Sequence, residues 1–166
     1  MKGAVLLSAA VRTAARPAAE TVLLLIWLIL LAAWDLKRGE LPAVLLAAGG
    51  TAGILLRVLD LLSGTALHVL AAAYLPGLVA GILLLAAARI SREAVGYGDG
   101  ICFCLFAFWL PWEELFTLLF TALVLCALPG LVMVLIRRRR LKALPFLPFV
   151  AAAYLVLRLA ALSAEA

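Results

Sequence analysis

Residues 21–56 read TVLLLIWLILLAAWDLKRGELPAVLLAAGGTAGILL, and the fold class follows from them. Thr21 to Trp34 form an apolar run that stops abruptly at Asp35. A short polar link, Lys37-Arg38-Gly39-Glu40, follows. Leu41 then opens a second apolar run to Leu56, ended by Arg57 and Asp60. A membrane-crossing helix needs about 20 predominantly apolar residues, and shorter runs borrow polar flanks or thin the bilayer. Working outward, further runs lie at about Thr65 to Ala88, Asp99 to Trp112, Leu115 to Ile136 and Leu144 to Leu162. The expected architecture is all-α: a polytopic membrane protein with about six transmembrane helices, forming a single transmembrane domain over residues 1–166. Residues 1–20 are expected to be an interfacial or loosely ordered lead-in.

Composition agrees. The chain has 166 residues, 68% of them hydrophobic and 14% charged, with mean hydropathy +1.24. Soluble domains are about 45–50% apolar and about 25% charged, so a soluble globule and a disordered chain are both excluded. The net charge is +5, but the basic residues sit between apolar runs, which points to the membrane and away from nucleic acid. Lys37, Arg38, Arg89, Arg92, Arg137, Arg138, Arg139, Arg140 and Lys142 fall in alternate loops, so those loops are expected to face the cytosol from a cytoplasmic membrane. Arg137–Arg140 should contact anionic lipid. Cys102, Cys104 and Cys126 form no C-x-x-C pair and His68 stands alone, so no metal and no cofactor are expected. Arg57 and Arg158 are read as snorkelling to an interface. Glu113 and Glu114, beside Trp112, are read as a solvated outer turn. Gly49-x-x-x-Gly53 and Gly77-x-x-x-Gly81 are read as packing surfaces.

Asp35 and Asp99 are the residues that invite chemistry. Both fall at the membrane edge on the expected cytosolic side. Asp99 lies in Gly96-Tyr97-Gly98-Asp99-Gly100, where the absence of side chains on Gly96, Gly98 and Gly100 permits close approach of another backbone. Asp35 precedes Pro42, which suits the first turn of the next helix. Two carboxylates brought together at a water-accessible edge suit aspartyl proteolysis, in which the pair shares one proton. Asp99 at a helix amino end is expected to be the ionised base, and Asp35 at a helix carboxyl end the acid.

Asp35 with Leu41-Pro42, Gly-x-Gly-Asp at 96–99, and Pro145-Phe146-Leu147-Pro148-Phe149 together resemble the type IV prepilin peptidases, membrane aspartyl proteases with a GxGD motif. The resemblance implies that Asp35 and Asp99 are the catalytic pair. It also implies that the partner is a prepilin-like membrane substrate cut at the cytosolic face between its basic leader and its apolar helix. Ala43 and Ile101 depart from residues common in that family. The cysteine-paired domain of the larger bifunctional relatives has no counterpart here, so methyl transfer is not expected. Two other readings use the same residues: an intramembrane aspartyl protease with a non-pilin substrate, and a non-catalytic scaffold or transporter subunit. The sequence leaves the oligomeric state open.

Overall fold

The computed structural model describes residues 18–39, 41–90, 97–137 and 145–165. They form six helices and no strand: α1 (Ala18–Arg38), α2 (Ala43–Leu62), α3 (Leu67–Ile90), α4 (Tyr97–Phe106), α5 (Trp112–Arg137) and α6 (Leu147–Glu165). α1, α2, α3 and α5 are long and apolar enough to cross a membrane, and α4 and α6 are shorter apolar helices. The lead-in at 1–17, Gly96 and Arg138–Arg140 lie outside the described residues, as does the side chain of Arg137.

The helix ends differ instructively from the apolar runs. α1 continues one turn past Trp34, so Asp35 lies inside its last turn. Gly39 ends it with φ +64°, donating its N–H to the Asp35 carbonyl at 2.8 Å. Pro42 caps α2 in an extended conformation, and its carbonyl accepts N–H bonds from Leu45 and Leu46. Arg57 and Asp60 do not end α2, which runs on to Leu62. Nor does Arg57 snorkel freely. It pairs with Asp60 at 2.7 Å and Glu20 at 3.2 Å, bonds the Tyr74 hydroxyl and lies over the Tyr74 ring. These bonds tie together the neighbouring ends of α1, α2 and α3.

α4 has only ten residues. At about 1.5 Å per residue it is roughly 15 Å long, half of a hydrocarbon core about 30 Å thick. Its following turn is fixed at mid-length of its neighbours: Trp109 Nε1 donates to the Gly49 carbonyl at 2.9 Å, and Gly77 faces Ala107 and Leu115. The small-residue pairs act as packing surfaces. A β-carbon on Gly49 would lie 1.8 Å from Trp27 Cε2, and one on Gly81 would lie 2.8 Å from the Cys104 backbone nitrogen. α3 and α4 therefore approach backbone to backbone.

The core draws on α1, α4, α5 and α6, with Leu24, Leu28, Leu31, Phe103, Phe106, Leu115, Leu118, Leu147 and Val150 almost wholly buried. Trp27 joins three elements. Its ring meets Phe106 edge-on at 5.4 Å and stacks on Trp109 at 5.9 Å, while its N–H donates to the Leu45 carbonyl at 2.9 Å.

Candidate active site

Helical periodicity aims both aspartates inward. On α1 the buried stripe is Leu24, Trp27, Leu28, Leu31 and Ala32, and Asp35 is its next member at i+3 and i+4 spacing. On α4 the buried residues Cys102, Phe103 and Phe106 share one face with Asp99, which sits in the first turn. The two stripes meet where Trp27 touches Phe106. From that contact Asp35 is eight residues along α1 and Asp99 seven residues back along α4. The two helices run in opposite directions, so the aspartates rise roughly 12 Å and 10.5 Å above the shared contact, at nearly the same level. Each aspartate is half-buried. Asp35 also acts electrostatically on Asp99, as expected for neighbours.

The surrounding elements complete the site. Leu41, between Asp35 and the Pro42 cap, reaches Gly98: a β-carbon there would lie 3.0 Å from Leu41 Cδ1. The link that follows Asp35 therefore packs on the segment that carries Asp99. Gly100 is tighter. A β-carbon there would lie 3.0 Å from Leu85 Cδ1 and 3.2 Å from Leu85 Cα, so backbone rather than a side-chain tip opposes it. Of the glycines around Asp99, Gly100 is the one at which α4 abuts the backbone of α3.

Three further groups lie near the aspartates. The backbone N–H of Leu147, at the first turn of α6, faces the Asp35 carboxylate as a hydrogen-bond donor. Cys102 is almost wholly buried and within electrostatic reach of both aspartates, and Cys126 of α5 is within reach of Asp99. Cys102 was findable in principle, because it stands three residues from Asp99 on the same helical face. The Leu147 donor was not, since every residue but proline has a backbone N–H. No group of three or more His, Cys, Asp or Glu able to hold a metal occurs among the described residues.

The two ends of the bundle also differ in charge. Lys37 and Arg38 lie in the last turn of α1 and Arg89 in the last turn of α3, all at the end that holds Asp35 and Asp99. At the opposite end Arg57 and Arg158 are both engaged with carboxylates, the latter with Glu114 at 3.0 Å.

Residues 22–131 match the family model described as the type IV leader peptidase family. The matched residues include Asp35, Pro42, Gly98, Asp99 and Gly100, and end before the Pro145–Phe149 segment. No curated protein and no solved structure matches the chain.

Proposed function

Because the chain belongs to the type IV leader peptidase family, we propose that it is an aspartyl endopeptidase that removes the leader of prepilin-like membrane proteins at the cytosolic face. The observation that carries this reading is the convergence of Asp35 and Asp99 from inward-facing stripes of α1 and α4 at one level of the bundle.

The chemistry follows from that arrangement. Two carboxylates within electrostatic reach do not both ionise readily, so they hold one proton between them. The ionised member takes a proton from a water molecule as its oxygen attacks the scissile carbonyl. The protonated member gives its proton to the carbonyl oxygen. Collapse of the tetrahedral intermediate breaks the C–N bond and returns a proton to the leaving amine. Helix ends alone do not divide these roles. Asp99 sits at the amino end of α4, but Asp35, at the carboxyl end of α1, also faces the amino end of α6 through Leu147. The roles therefore belong to the pair, and its titration is a property of both carboxylates together.

The cytosolic placement is supported by Lys37, Arg38 and Arg89 at the aspartate end, in keeping with the excess of basic residues in cytosolic loops. A substrate with a basic leader and an apolar helix would arrive at this end with its cleavage point near the bilayer edge. Co-production with such a substrate, followed by intact-mass analysis, tests the proposal. The expected product has lost its leader, with a new amino terminus just before the apolar helix. An uncleaved substrate, across several prepilin-like sequences and with the enzyme shown to be membrane-inserted, overturns it.

A further inference from the structure

The turn that follows the short helix α4 is fixed beside Gly53 of α2 and Gly77 of α3, part-way along both. From there α2 runs nine more residues to Leu62, and α3 extends back ten residues to Leu67. The α2–α3 hairpin therefore projects roughly 13–15 Å beyond the α4–α5 turn. On the other side α6 continues past Arg158, the partner of Glu114, to Glu165. α5 packs on both α3 and α6. Its first turn thus stands in a notch between longer neighbours, at the end of the bundle remote from the aspartates.

That first turn is polar and open. Trp112 and Glu113 are exposed, as is Thr117 one turn further on. The Glu114 and Arg158 side chains are 39% and 29% exposed even though they pair with each other. Hydrocarbon around them would leave the uncovered part of each ion without solvation. The length of α5 points to the same level. Counted from Glu114, its apolar stretch from Leu115 to Ile136 spans roughly 33 Å, a full hydrocarbon thickness. The hairpin beside it follows a different rule. Leu55, Leu59 and Leu62 of α2 and Leu67 of α3 are exposed beyond the level of the turn, as lipid-facing residues are. Arg57, at a similar depth on that side, is sheltered to 14% exposure.

We propose that the polar surface of the membrane dips into this notch. Water reaches Glu113, Thr117 and the open side of the Glu114–Arg158 pair, while lipid still covers the neighbouring hairpin to its tip. The pair stays satisfied within the protein, and only its outward surface is hydrated. A bilayer accommodates a short or recessed segment by local thinning at modest cost. The dip leaves roughly 16 Å of α6, from Arg158 back to Leu147, between this water and the level of Asp35. This inference does not depend on the proteolytic reading.

Thiol accessibility of the full chain in sealed vesicles tests it, with a charged, membrane-impermeant maleimide on both faces. The label gained by each variant is counted by intact mass against the unchanged chain, which carries Cys102, Cys104 and Cys126. Ser63→Cys, at the hairpin tip, is the water-exposed reference, and Leu55→Cys, slightly nearer that tip than the start of α5, is the lipid-facing one. The thiolate is the reacting form and needs water, so Thr117→Cys should react within about tenfold of Ser63→Cys and Leu55→Cys at least about 100-fold more slowly. Thr117→Cys reacting as slowly as Leu55→Cys overturns the proposal, because water then stops short of the notch. Leu55→Cys reacting as fast as Thr117→Cys also overturns it, because water then follows the whole bundle at this depth. Should Thr117→Cys fail to insert, Glu113→Cys, one turn nearer the helix start, decides the same comparison.

Discussion

Replacing Gly100 with alanine should separate catalytic positioning from stability. The new β-carbon would lie 3.2 Å from Leu85 Cα and 3.4 Å from its backbone nitrogen. Ordinary carbon contacts begin at about 3.5 Å, so α4 must move away from α3 by at least about 0.3 Å. Asp99 is the adjacent residue and moves with it. Over-packing costs about 1–3 kcal/mol. Alanine recovers about 0.8–1 kcal/mol over glycine inside a helix, which leaves a net loss between roughly zero and 2 kcal/mol. A misplacement of about 1 Å can cost about 100-fold in rate, so a third to a half of that displacement should cost roughly 5- to 10-fold. Gly98→Ala is the matched control. Its β-carbon meets only the Cδ1 end of Leu41, which can turn aside, so its rate should stay within about threefold of wild type. The assay is leader cleavage in reconstituted vesicles, read beside thermal unfolding of each variant. A Gly98→Ala rate as low as that of Gly100→Ala would refute the reasoning, as would an unimpaired Gly100→Ala.

Other outcomes follow from the same geometry. Leu147→Pro and Leu147→Ala both lose a buried side chain, but only proline loses the N–H that faces Asp35. Proline is tolerated in the first turn of a helix, so the proline variant should cleave more slowly than the alanine variant at similar thermal stability, and equal rates would remove the N–H from the mechanism. Arg57→Met leaves Glu20 and Asp60 without their cation. Breaking a buried pair costs about 3–5 kcal/mol; with Arg57 and Glu20 each 14% exposed and Asp60 33%, the unfolding midpoint should show a loss below that range, with cleavage unchanged. Gly49→Ala drives a methyl group into the Trp27 ring, which is held by Leu45 and Trp109. The loss should reach or exceed about 3 kcal/mol in thermal unfolding, and a near-normal midpoint would mean that the ring can move.

Much of this arrangement was legible in the sequence, and the illegible parts have physical reasons. The apolar runs announced six helices because a membrane leaves backbone polar groups no partners but one another. The carboxyl end of α1 was legible because Asp35, Lys37 and Arg38 interrupt the run, although the helix itself needs Gly39 to stop. Arg57 and Asp60 misled, since a charge reads as the end of a span. Their mutual pairing and the distant Glu20 and Tyr74 let α2 continue through them. The true length of α4 was hidden because Ala107 to Pro111 are as buried as a helix would be, and composition does not distinguish a buried turn from a helix. Asp35 and Asp99 stood out by residue type and glycine context. Their inward direction could be derived only once the buried stripes of α1 and α4 were known. The Arg158–Glu114 pair, which joins α5 to α6, depends on relative helix heights, which no single segment encodes.

The pairing of Asp35 with Asp99 is tested most directly by the single variants Asp35→Asn and Asp99→Asn, each co-produced with a cleavable prepilin-like substrate and scored by intact mass. Both should insert in the membrane and unfold near the wild-type temperature, and neither should release the leader. Leader loss persisting in either correctly inserted variant would contradict a shared two-carboxylate site.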